Sequence, residues 1–73
     1  MGFGDYIKEL RIKRGFTQKY VSEQLGVTQA AYAQYELSGK TPNMFTAVKL
    51  AKLLGTTVED MATGTSRKEN TTS

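Results

Sequence analysis

Between Gly15 and Glu36 the chain reads GFTQKYVSEQLGVTQAAYAQYE. If Tyr32 and Tyr35, three apart, are turned inward on a helix, then Gln29, Ala30, Ala33 and Gln34 are left on its outer side. That outer side carries no charge, which is unusual for a surface whose only task is to meet water. A glutamine amide holds a donor and an acceptor side by side and pairs with the N6 and N7 edge of adenine in the major groove of DNA. Alanine packs against a thymine methyl or keeps the surface flat enough to enter the groove. Thr28 stands at the start of the same stretch. A helix beginning there aims free N–H groups and partial positive charge at phosphate. The plainer alternative is a pair of surface glutamines and two good helix formers.

Other chemistry finds little support. The 73 residues include no cysteine and no histidine, so disulfides, thiolate metal sites, and the commonest metal ligand and general base are absent. Glu59 and Asp60 are adjacent carboxylates, but neighbours on a helix point in different directions. No glycine-rich phosphate loop is present, and no nucleophile has a candidate base. The expectation is a protein that is not an enzyme and needs no cofactor or metal. A net charge of +3 suits a polyanionic partner. The first residues carry Asp5, Lys8 and Glu9 without a long apolar run, unlike a signal peptide. No stretch approaches the roughly 18 apolar residues of a membrane span. A cytoplasmic protein without a membrane partner is expected.

Five helices account for the spacing, and no convincing strand is found. The first spans about Phe3 to Arg14, with Phe3, Ile7, Leu10 and Arg14 at helical intervals and Gly15 as the stop. Thr17 caps a second, Gln18 to Leu25, with Phe16 and Val21 placed as a hydrophobic staple and Gly26 as the terminator. Val27 and Thr28 repeat the staple and cap for a third, Gln29 to about Glu36, with Tyr32 opposite Val27. Only Gly26, Val27 and Thr28 separate these two helices, and so short a break sets them at a steep angle. Val21, Leu25, Val27, Tyr32 and Tyr35 form their shared core, and the small Ser22 permits a close crossing. After the loop Ser38 to Pro42, Asn43 caps a fourth helix, Met44 to Leu54, whose expected inner stripe is Met44, Ala47, Val48, Ala51 and Leu54. Thr57 with Asp60 reads as a capping box for a short fifth helix through about Met61. Tyr6 and Tyr20 read as core aromatics with hydroxyls at the rim, Tyr20 having DNA-backbone contact as its alternative. The expected organisation is one domain over 1–62 and a disordered tail over 63–73. The tail's Arg67 and Lys68 leave open an arm that touches DNA.

Taken in order and spacing, ELRIKRGFTQ, GVTQAAYAQYE, Gly39-Lys40 and PNMFTAVKLAKLLG followed by VEDM resemble the helix-turn-helix family of lambdoid phage repressors and Cro proteins, often called the XRE family. The resemblance covers about Phe3 to Met61. It implies an all-α, compact five-helix bundle, the lambda repressor-like DNA-binding domain, in which the second and third helices form the DNA-binding unit. It also implies a homodimer, at least on DNA, reading a double-stranded palindromic operator with half-sites about one helical turn apart. Carried onto this chain, Gln18 contacts a phosphate and braces the first recognition residue. Thr28, Gln29 and Ala30 open the recognition helix, Ala33 and Gln34 form its next exposed turn, and Lys40, Thr41 and Asn43 grip the backbone. Thr17 is assigned with Gln18 to the DNA-contacting set. Arg11 and Glu36 stand where the resembling repressors pair an arginine with a glutamate between the first helix and the recognition helix. Thr56, Thr57 and Val58 fall in the usual dimer region, and Phe45, which the inner stripe does not need, joins them. The chain departs from the pattern in having Ser22 where alanine is usual, Tyr32 and Tyr35 in place of smaller aliphatics, Ala47 in place of leucine, and few basic residues after Glu36.

Two functions follow. One is a sequence-specific transcriptional regulator, a repressor that blocks polymerase or contacts it. The other is a protein-interaction module of the same fold, antitoxin-like or an anti-regulator, with a regulatory protein partner. The glutamine-alanine face favours the first. An exposed apolar patch at Met44 and Phe45 would favour the second.

Overall fold

The computed structural model describes residues 2–64. Five α-helices follow one another: α1 Phe3–Lys13, α2 Gln18–Leu25, α3 Gln29–Leu37, α4 Met44–Leu54 and α5 Val58–Thr63. Among the described residues there is no strand, and the all-α five-helix class expected from the spacing is the one found. Each helix start from α2 to α5 is closed by the side chain expected to cap it. Thr17, Thr28, Asn43 and Thr57 accept the backbone N–H of Tyr20, Ala31, Thr46 and Asp60 at 2.9–3.0 Å. A cap of this kind contributes about 1 kcal/mol each by satisfying an orphan donor. The helix ends fall within a residue or two of expectation. α3 continues to Leu37, and α5 runs to Thr63 before Gly64 closes it in the left-handed region. Of the tail, residues 65–73, with Arg67 and Lys68, lie outside the described residues.

The core is built by Tyr6 and Ile7 of α1, Val21 and Leu25 of α2, Tyr32 of α3, Ala47, Leu50, Ala51 and Leu54 of α4, and Met61 of α5. Phe3, Leu10, Phe16, Val27, Tyr35 and Leu53 pack around it. The α4 stripe differs from the expected one. Met44 is 77% exposed and Val48 39% exposed, while Leu50, absent from the expected set, is fully buried. The period of 3.6 explains this. Ala47, Leu50, Ala51 and Leu54 hold one line, Val48 is turned about 100° from Ala47, and Met44 sits in the first turn, beyond the edge of the core. Tyr6 is buried as expected, with its hydroxyl 2.7 Å from Thr56 Oγ1, tying α1 to the α4–α5 turn. Tyr20, expected as a core aromatic, is instead exposed, its ring resting 4.8 Å from that of the half-buried Phe16, because the first turn of α2 lies outside the core.

Glycines stand at two close approaches. A Cβ on Gly4 would overlap the carbonyl oxygen of Glu36 and reach 3.0 Å from that of Tyr35, so α1 crosses the end of α3 backbone to backbone. Gly55 turns α4 off at φ +74° beneath the Arg14 guanidinium, whose Nε donates to the Leu54 carbonyl at 3.1 Å. A cation thereby meets the negative end of α4.

Candidate nucleic-acid interface

The two-helix unit is held by local chemistry first. Gly26 leaves α2 in the left-handed region, φ 75°, where its N–H meets the Glu23 carbonyl at 3.2 Å. Val27 N–H then reaches the Ser22 carbonyl at 3.0 Å, a Schellman-type closure that reverses the chain within three residues. Ser22, buried, turns its hydroxyl to the Lys19 carbonyl at 2.8 Å and so costs no unpaired group. Val21, Leu25 and Tyr32 fill the angle between α2 and α3, with Val27 and Tyr35 at its margin. The Tyr35 ring stands edge-on to that of Tyr32, centroids 5.9 Å apart.

With that side buried, α3 presents Gln29, Ala30 and Gln34 to solvent and Ala33 half-buried beside them. The face read from the spacing is thus assembled on one helix, and its outer turns carry no charge. Thr17 and Thr28 lie at the starts of α2 and α3 with their oxygens occupied as acceptors from backbone N–H groups. Each hydroxyl keeps its own proton to donate outward. Asn43 accepts through Oδ1 from Thr46 N–H, which leaves its amide nitrogen free to donate. Lys40 and Thr41 are exposed in the α3–α4 loop.

Behind the face lies a charged joint. Arg11 Nε donates to Glu36 Oε2 at 2.6 Å, Arg11 Nη2 to Glu36 Oε1 at 3.3 Å, and Arg11 Nη1 to the Phe16 carbonyl at 2.8 Å. Gln18 Nε2 adds a bond to Glu36 Oε1 at 3.0 Å. The expected pairing of α1 with α3 is present, and Gln18 belongs to it. One amide proton of Gln18 is used inward, and the amide carries a second donor. Burial alone would push the Glu36 carboxyl up, but the bonds from Arg11 and Gln18, with the adjacent Tyr32 hydroxyl, outweigh it and hold the group below the ordinary carboxylate value. The Arg11 guanidinium is raised, first by its hydrogen bond to Glu36.

Tyr32 pays for its size. It is fully buried, and its hydroxyl finds no hydrogen-bond partner among the described residues. Burial pushes the phenol well above its ordinary value, and the nearby Glu36 carboxylate adds to this. Leaving a hydroxyl buried and unbonded costs about 1–3 kcal/mol. Tyr32→Phe is therefore expected to raise stability by about 1 kcal/mol in urea denaturation. A loss of stability would show that the hydroxyl is bonded to Glu36 after all.

The residues expected at a dimer contact are less united. Phe45 is 83% exposed and Val58 partly so, while Thr57 is occupied as the α5 cap and Thr56 turns its hydroxyl inward to Tyr6. Met44 and Val58 edge an apolar hollow of about 200 Å³ floored by Ala47 and Met61, and Phe45 is not part of its wall. Among the described residues there is no group of carboxylates able to hold a metal ion, and no helix is long and apolar enough to cross a membrane.

Sequence reasoning passed over Gly4 and Leu37, and placed Arg14 on the stripe of the first helix without finding its partner. Gly4 had a signal, because a glycine in a first helical turn sacrifices helix propensity and ordinarily has a packing reason. Arg14 had none, since its partner is a backbone carbonyl forty residues away. Leu37 is 82% exposed at the end of α3, continuing the line of Ala30, Ala33 and Gln34.

Comparison with known proteins agrees with this geometry. A family model described as helix-turn-helix matches residues 7–61. A prophage-derived uncharacterized HTH-type transcriptional regulator of Bacillus subtilis, YonR, is 32% identical over 63 residues, covering 86% of this chain and 58% of its own length. The cryptic phage CTXphi transcriptional repressor RstR of Vibrio cholerae is 32% identical over 59 residues, 81% of this chain and 53% of its own. The chain thus spans a little over half the length of these relatives. The P22 c2 repressor, solved in complex with a synthetic operator, superposes with a TM-score of 0.82 at 26% identity, covering 88% of this chain and 97% of that one. A match over most of the chain, with the capped two-helix unit in place, means that the chain belongs to the helix-turn-helix family, in its phage repressor and Cro-like branch.

Proposed function

We propose that this protein is a transcriptional regulator that binds double-stranded DNA sequence-specifically, and that it acts as a repressor on a palindromic operator as a homodimer. The observation that carries the reading is the exposed, uncharged face of Gln29, Ala30, Ala33 and Gln34. It is flanked by two helix N-termini whose threonine caps keep a donor free. Two donors pointing at phosphates and two amides pointing at base edges is the division of labour that groove recognition requires. The repressor relatives and the operator-bound neighbour support this assignment. Thr17, Gln18, Thr28, Lys40, Thr41 and Asn43 hold the backbone, and Gln29, Ala30, Ala33 and Gln34 read the bases.

Selection of binding sites from random duplex DNA, at fixed salt, tests it. The parent should enrich a two-fold symmetric site. Gln29→Ala with Gln34→Ala should lose base preference, each lost amide pair accounting for about 1–3 kcal/mol, while salt-dependent non-specific affinity persists. Enrichment of no site by the parent contradicts the reading.

A second reading has its own observation. Met44 and Phe45 are both largely exposed in the first turn of α4. Exposed large apolar groups at one end of a helix mark a protein contact surface. They suit the dimer surface of the first reading, with Phe45, Thr56, Thr57 and Val58, or a regulatory protein partner. Sedimentation of Phe45→Ser with and without operator DNA separates these uses, since only the first predicts weakened pairing of two copies.

A further inference from the structure

Between α1 and the recognition helix runs a groove of about 290 Å³ lined by Asp5, Lys8, Gln18, Ala33, Glu36 and Leu37. Two of these residues, Gln18 and Ala33, belong to the surface already assigned to DNA. Glu36 is nearly inaccessible and already bonded to Arg11 and Gln18, so it offers little repulsion to an anion above it. Lys8 is the cation of the rim, on an exposed turn of α1. Asp5, one turn earlier, is the opposing charge on the same rim.

We infer that this groove seats the sugar-phosphate strand flanking the major groove, with Lys8 as a further phosphate-contacting residue and Asp5 as a charge that moderates it. The inference rests on the reading of α3 as a DNA-reading helix. A duplex that receives Ala33 and Gln18 brings a strand alongside the adjoining wall, and that wall is α1 at Lys8. The exposed Leu37 lies at the end of the same channel, where it meets the sugar rather than a charge. Phosphate contacts of this kind fix position and carry no base information.

The test measures affinity of the full chain for the selected duplex and for an unrelated duplex across a salt series. Each phosphate neutralised contributes about 0.9 to the slope of log affinity against log salt. Lys8→Ala should lower that slope by about 0.9 and weaken both duplexes by the same factor. Asp5→Asn should tighten both. Lys52→Ala, on the last turn of α4 and outside the groove, serves as the comparison and should change neither. Thermal unfolding of each variant checks that the fold is retained. If the parent binds its duplex and Lys8→Ala leaves slope and affinity unchanged, the groove assignment is overturned and the reading of α3 stands. If the parent binds no DNA at any salt, both fall together.

Discussion

Glu36→Ala is expected to lose about 3–5 kcal/mol of stability, the ordinary cost of removing one partner from a buried ion pair. The structure shows why the loss is so large. The substitution strands the Arg11 guanidinium, which gives two of its bonds to this carboxylate, and it also removes the acceptor of Gln18. For a domain whose total stability is on the order of 5–15 kcal/mol, that is a large share. A fall in Tm of roughly 12–40 °C follows from the usual 4–8 °C per kcal/mol at this size. Replacing both partners, Arg11→Met with Glu36→Leu, should recover much of the loss, because the damage comes from the uncompensated charge. The pH dependence has a definite sign. Glu36 is depressed in the folded chain, so its contribution is present above the unfolded carboxyl value, about 4.3, and is lost as pH falls through the lower folded value. Glu36→Gln should therefore flatten the acid limb of stability below about pH 4.3. An unchanged acid limb would mean that the pair does not stabilise the fold.

Gly4→Ala is expected to destabilise by about 1–3 kcal/mol or more, although alanine is the better helix former by about 1 kcal/mol. The added carbon meets main-chain atoms of Glu36 and Tyr35, which cannot swing aside as a flexible side chain would. The clash has to push α1 away from the C-terminal turn of α3, next to the Arg11–Glu36 joint. Gly2→Ala is the control, because a Cβ there has open space. Denaturant midpoints for the two variants should therefore move apart. Equal midpoints would show that α1 and α3 do not meet at Gly4.

How much of this was legible in advance depended on whether the information was local. Caps were readable, since Thr17, Thr28, Asn43 and Thr57 act on N–H groups three residues away. The sharp turn at Gly26 and the inward turning of Tyr32 were readable for the same reason. The outer face of α3 followed by subtraction. The α4 stripe was harder, because MFTAVKLAKLL is apolar on more than one side and periodicity alone does not choose which. Leu50 went inward and Met44 outward because of where α2 and α5 lie, which is tertiary information. The Arg11–Glu36 pair became visible only through resemblance to a family, since nothing local links positions twenty-five apart. Gly4 against Glu36, Arg14 on the Leu54 carbonyl and Tyr6 on Thr56 are long-range contacts of the same kind.

The central claim is that the α3 face, and not the apolar edge of α4 and α5, meets DNA bases. Backbone amide shifts of the isotope-labelled chain, followed during titration with its selected duplex, test this residue by residue. The largest changes are expected at Gln29, Ala30, Ala33 and Gln34, with Thr17, Gln18 and Thr28 beside them. Changes centred on Met44, Phe45 and Val58 that leave α3 still would contradict it.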